Sequence, residues 1–196
     1  MITWADAHRR AMVMAAEVHG DLDIDLSKPV DVFGAIKALG VVLAFAPLEE
    51  SSGAYVPGSP PGIILHQGHP RTRQRYTAAH ELGHHVFRHK AIEVDGDLEL
   101  SLQRGGGRGW STDEKEAEAF GAWFLMPRRL IQAGLTHLGL EKPRDAFDVY
   151  ALSLWLGTSY TATARQLATT RLVPDAVVDE WARIPPRTLK QTLAGE

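Results

Sequence analysis

With 196 residues the chain has room for one domain, or one domain with a small appendage, and its 44% hydrophobic composition can bury a core. A formal net charge of −3 and a sequence pI near 6.3 provide no overall basic field to draw nucleic acid. Cysteine is absent, which excludes disulfides, thiolate metal sites and a thiol nucleophile, fits a reducing compartment, and leaves His, Asp and Glu as possible ligands.

Residues 3–19 place Trp4, Ala7, Ala11, Met14, Ala15 and Val18 near one face and predict a helix. Asp6, His8, Arg9, Arg10 and Glu17 stand where a secretory leader would need an apolar run, and no stretch approaches the ~18 apolar residues of a membrane span. A cytoplasmic protein without membrane contact is the expectation. The run DLDIDL at 21–26 opens like a calcium loop, but Leu26 stands where that loop needs glycine, which argues against calcium. Residues 27–40 predict a short helix, with Pro29 in its first turn and Gly40 as its stop. VVLAFAPL at 41–48, then GAYVPG and GIILHQ (62–67), are three short β-rich runs, the last two separated by GSPP.

From Thr72 to His89 only Gly83 interrupts a helical pattern. Residues 91–102 alternate weakly, and RGGGRG at 104–109 reads as a flexible loop. A helix is predicted over 111–127, capped at Ser111 or Thr112 and ended near Pro127. The rest is mostly helical, with breaks at Gly139, Pro143, Gly157, Pro174 and Pro185-Pro186. Helices, a few strands, then helices again predict the α+β class.

Chemistry concentrates in YTAAHELGHHVFRHK, residues 76–90. His80, Glu81 and His84 form HExxH. On a helix, positions i and i+4 share a face, so two imidazoles hold one zinc without backbone strain. Glu81 projects near the same place, where it can take a proton from a metal-bound water. HExxH is short enough to arise by chance, and its alternative is an exposed histidine-rich face. His85 and His89 form a second i,i+4 pair on another face, read as surface or partly buried histidines with structural roles. Phe87 and Lys90 exclude the longer HExxHxxGxxH pattern.

A catalytic zinc takes three protein ligands and keeps one open position. Without cysteine, the third is expected from a downstream carboxylate. In DEKEAEAF, Glu114 and Glu118 share a helix face and Glu116 points away from it, while Ala117, Phe120, Trp123 and Phe124 read as core. One carboxylate of an i,i+4 pair can ligate while the other accepts a ligand histidine's ring N–H. Glu114 also fits a capping box with Ser111, and Glu116 and Glu118 fit a solvated face. Spacing leaves Glu114, Glu118 and Glu116 as candidates, in that order.

RQRYTAAHELGHHVFRH followed by EKEAEAFGAWFLMP resembles the ImmA/IrrE metallopeptidases, with RxR[FY]TxAHE[LI]GH and ExxA[ND]xFA…LLMP as paired motifs. Upstream, DVFGAIKALGVVLAFAPL is similar to the family's helix–strand entry, so the resemblance covers roughly residues 29–127. It implies a zincin-like fold with a small mixed sheet and two zinc-holding helices, in a domain spanning 1–128 with a helical C-terminal segment over 129–196. It also implies His80, His84 and Glu114 as Zn2+ ligands and Glu81 as general base. Glu118 occupies the position of a partner to the first histidine, where the family has Asn or Asp, so its reach differs by one methylene. Gly121 stands where the family more often has Ala. The resemblance further implies cleavage of a partner protein, commonly a helix-turn-helix transcriptional repressor in a stress response.

A developing oxyanion needs a donor besides the metal, and Tyr76, Tyr55 and His66 are candidates. GIILHQ could take an extended substrate by strand addition, unless it is a central strand. Residues 148–173 look faintly like a helix-turn-helix, but over 145–173 Asp145 and Asp148 balance Arg165 and Arg171, which argues against DNA readout and for packing or partner recognition. A zinc endopeptidase is the first reading. A non-catalytic binding module, or an antitoxin- or toxin-type partner of a repressor with the same fold, is the alternative. The intact His80, Glu81 and His84 favour the first, because a binder has no need of the base.

Overall fold

The computed structural model describes residues 1–49, 51–90 and 110–194. The alternating segment 91–102 and the glycine-rich 104–109 lie outside the described residues. Backbone contacts divide the chain into two compact units, Met1–Ile24 with Asp31–Phe124, and Asp25–Val30 with the residues from Leu125 on. Helices and a three-stranded mixed sheet make the class α+β.

The first unit begins with α1 (Trp4–Asp21). Thr3 and Asp6 cap it reciprocally: the Thr3 hydroxyl accepts the Asp6 N–H, and the Asp6 carboxylate accepts the Thr3 N–H. Ala7, Ala11, Ala15 and Val18 form its buried stripe. Helix α2 (Val32–Ala38) starts later than the sequence pattern predicts. The Asp31 carboxylate accepts the Gly34 N–H at 3.1 Å, so Asp31 is the cap and Pro29 lies outside. Gly40 supplies the expected stop, in the left-handed region at φ +74°.

Strands β1 (Val42–Ala46), β2 (Gly53–Val56) and β3 (Gly62–His66) pair in the order β1-β3-β2. β1 runs parallel to β3, with Val42 opposite Gly62, and β2 runs antiparallel to β3, with Gly53 opposite Leu65. GIILHQ is therefore the centre of the sheet. Both of its edges carry ladder bonds, so it has no edge to offer an extended substrate. Its Ile63 and Leu65 are buried.

Helix α3 (Arg71–Val86) is buried without a break from Thr77 to His84. A helix enclosed so completely needs close neighbours, and it packs against β2 and β3 as well as α2. Helix α4 (Thr112–Leu125) crosses it at Gly83, where a Cβ would stand 2.9 Å from the Ala117 Cα. The glycine that weakens the helical pattern is thus the point of helix–helix approach. The Ser111 hydroxyl accepts the Glu114 N–H at 3.1 Å, fixing the start of α4. Phe120 and Phe124 are fully buried and stack at 5.4 Å, each worth about 2–3 kcal/mol of transfer free energy. Trp123 is only half-buried, and its indole N–H donates to His8.

In the second unit, helices α5 (Arg128–His137), α6 (Ala146–Leu156), α7 (Tyr160–Thr169), α8 (Asp175–Ala182) and α9 (Pro186–Ala194) follow the predicted breaks. Asp145 caps α6, Gly157 ends it in the left-handed region at φ +66°, and Ser159 caps α7.

Candidate metal centre

Two helices build the centre. One turn of α3 carries His80 and His84 on a common face, and the first turn of α4 brings Glu114 to them. The Nε2 atoms of His80 and His84 are 3.1 Å apart. Glu114 places one oxygen 3.3 Å from His80 Nε2 and the other 3.5 Å from His84 Nε2. These three residues form a group able to hold a metal ion. A four-coordinate ion with nitrogen and oxygen ligands at about 2.0–2.1 Å has ligand–ligand edges of about 3.3–3.4 Å. The observed separations lie close to that value, with Glu114 facing each histidine through a different oxygen, so the donor set suits a four-coordinate ion with one position left open.

Electrostatics point the same way. Burial alone would push His80 down, but hydrogen bonding to Glu114 and Glu118 and the charge of Glu81 reverse this and raise it to about 10. Glu114 is held below the usual carboxylate range: burial opposes its charge, and the contacts with His80 and His84 outweigh it. His84 goes down to about 3, through burial and the positive charge of His80. The carboxylates thus favour one positive charge among them, and the second histidine keeps a lone pair.

Glu81 is buried, and burial raises its carboxyl to about 7, against the charge of His80. The backbone N–H of Tyr55 hydrogen-bonds this carboxylate. The sheet register explains why that N–H is available. The His66 N–H donates to the Ser52 carbonyl, so 52 and 66 are a hydrogen-bonded pair; 54 and 64 are the next. Gly53 and Tyr55 then direct their backbone polar groups away from β3, along the outer edge of β2. That edge borders Glu81.

Glu118 lies on the outer side of His80. One oxygen is 3.4 Å from His80 Nδ1, and the other accepts the Tyr76 hydroxyl at 2.8 Å. Of the other oxyanion candidates, the Tyr55 hydroxyl lies 3.3 Å from His85 Nδ1. His66 accepts the Gly68 N–H at Nδ1 and stacks on His69, at the end of β3. Neither belongs to the group formed by His80, His84 and Glu114.

Glu116 and Glu118, which by spacing fit a solvated face, are both buried, and so is His89. α3 ends at Val86, and the chain folds back so that His89 is 8% exposed, 3.0 Å from the Nδ1 of His84. Glu116, 3% exposed, sits 3.1 Å from the other His89 nitrogen and pairs with Arg10 of α1. The hint in the sequence was phase: Glu116 is out of register with Glu114 and Glu118, hence aimed at a different neighbour. His85 is half-buried, as a structural histidine would be.

Residues 36–139, just over half of the chain, match the IrrE N-terminal-like domain family of peptidases. No curated protein matches the chain. The matched span contains both helices of the metal centre, and the chain belongs to the ImmA/IrrE family of metallopeptidases.

Proposed function

We propose that the protein is a zinc endopeptidase that hydrolyses a peptide bond in a partner protein. The observation that carries this is the convergence of His80, His84 and Glu114, with donor atoms 3.1 to 3.5 Å apart, beside a buried Glu81. Bound by these three residues, zinc supplies Lewis acidity, polarising the scissile carbonyl and easing loss of a proton from water. Glu81 accepts that proton at its carboxylate, held in place by the Tyr55 N–H, and delivers it to the leaving nitrogen. Glu118, steadied by Tyr76, orients His80 from behind. The outer edge of β2 suits an extended substrate segment through its outward backbone groups other than the Tyr55 N–H, which Glu81 engages. A helix-turn-helix transcriptional regulator is the proposed substrate class, supported by the family's habit and by no residue of this chain.

The test is zinc content by elemental analysis, together with cleavage assays on helix-turn-helix regulators of the same organism. Wild type is expected to hold one zinc per chain and to cut. Glu114→Ala should lose both properties, and Glu81→Gln should keep zinc while losing cleavage. A wild-type protein that takes up no zinc from an equimolar supply refutes the reading. Cleavage surviving in Glu81→Gln refutes the assignment of the base.

A further inference from the structure

The last turn of α3 ends in a reverse turn that no glycine announces. The Arg88 N–H donates to the His85 carbonyl at 3.0 Å and the His89 N–H to the His84 carbonyl at 2.9 Å, with Arg88 in the left-handed region at φ +56°. This is a Schellman cap, a motif that brings the residue two past the cap onto the residue three before it. Those two positions usually hold a hydrophobic pair. Here they hold two imidazoles, His84 and His89, with ring centroids 5.0 Å apart.

We propose that His89 is a positioning residue for the metal centre: its Nδ1 accepts the Nδ1–H of His84, and its Nε2–H is donated to Glu116. The inference rests on the zinc reading above. His84 turns its Nε2 toward His80 and Glu114, so a ligating His84 carries its proton on Nδ1. That proton faces His89 Nδ1 at 3.0 Å, which must then be a lone pair. The His89 proton is consequently on Nε2, 3.1 Å from Glu116 Oε2. The opposite polarity would set a bare His89 Nε2 against a carboxylate oxygen inside the protein and put the His84 proton into the metal pocket. Glu116 therefore dictates the direction of the chain, and Arg10 holds Glu116 from its other oxygen.

His89, Asp113 and Glu116 could alternatively hold an ion of their own. Arg10 argues against it, because its guanidinium already supplies the cation at Glu116. The other His89 nitrogen is engaged by His84, which leaves Nε2 as the single possible ligand atom of that ring.

The experiment compares zinc affinity, by competition with a chelator, in wild type, His89→Leu and His89→Gln. Gln can accept from His84 and donate to Glu116, whereas Leu can do neither. His89→Leu should bind zinc about 10–100-fold more weakly, and His89→Gln should stay within about threefold of wild type. Two-bond proton–nitrogen NMR spectra of zinc-loaded wild type supply a readout that needs no variant to fold. They should show His84 protonated at Nδ1, and His89 protonated at Nε2 with a bare Nδ1. Wild-type affinity in His89→Leu overturns the proposal, as does a proton on His89 Nδ1. Two zinc ions per chain, the second lost in Asp113→Ala, overturn it in favour of a second metal site. A wild type that binds no zinc removes the metal reading and this inference with it, whereas one zinc per chain with an indifferent His89 removes only the inference.

Discussion

Gly83→Ala places one methyl group between the two helices that carry the metal centre. Its Cβ would lie 2.9 Å from the Ala117 Cα, 3.1 Å from the Ala117 carbonyl oxygen and 3.2 Å from the Phe120 Cβ. Unstrained carbon contacts fall at about 3.5–4.0 Å, so α3 and α4 must separate by roughly 0.5–1 Å. Two of the obstructing atoms are backbone, which cannot swing aside as a flexible side chain can. In an exposed helix interior the substitution stabilises by about 1 kcal/mol, and overpacking costs about 1–3 kcal/mol. The expected net result is a loss of up to about 2 kcal/mol in the metal-free protein. The larger effect is on the site. Metal–ligand distances tolerate about 0.2 Å, so a separation several times larger pulls Glu114 from the two histidines and weakens zinc binding about tenfold or more. Gly20→Ala is the control: its Cβ meets nothing within 4 Å, and it should stabilise by about 0.5–1 kcal/mol. Thermal unfolding of both metal-free variants and chelator competition for zinc make the comparison. A Gly83→Ala protein as stable as Gly20→Ala, with wild-type zinc affinity, would falsify the close helix crossing as the determinant of the site.

Arg88 is exposed and left-handed at φ +56°, so Arg88→Gly should stabilise by about 1 kcal/mol; a decrease in thermal midpoint would contradict the Schellman cap. Chelation of bound zinc should lower the wild-type unfolding midpoint and leave Glu114→Ala unmoved, since metal binding adds folding free energy only where the site exists. In the second unit the Arg144 guanidinium grips Asp148 with bonds of 2.8 and 3.0 Å. That hydrogen bonding holds the carboxyl below its ordinary 3.8, against the opposing effect of burial. A depressed carboxyl stabilises the fold fully above its unfolded value and loses that contribution as pH falls through the folded one. Asp148→Asn should therefore cost about 1 kcal/mol at pH 7, reduced by the exposure of Arg144, and the difference from wild type should shrink below pH 3.8. An unchanged difference in acid would contradict the pairing.

Periodicity and local chemistry carried much of the molecule into view. The i,i+4 spacing of His80 and His84 is a property of any helix, so the pair shares a face wherever that helix lies. The same holds for Glu114 and Glu118, and for the cap at Ser111, whose hydrogen bond closes within three residues. The start of α2 was misplaced because Pro29 and Asp31 are both plausible openings, and the carboxylate wins by giving the helix a hydrogen bond.

The rest depends on which surfaces meet. That GIILHQ is the central strand follows from pairing with β1 and β2, and nothing within the strand announces it. Gly83 reads as a helix weakness until Ala117 is seen packed against it. The donor types, two histidines and a nearby carboxylate, were readable from the residues alone, because they are set by spacing along single helices. That α3 and α4 cross closely enough to bring Glu114 within 3.5 Å of His84, and that His89 turns back to meet it, emerged from packing. Spacing along a helix is local and fixed by backbone geometry, whereas the meeting of two helices depends on every side chain between them.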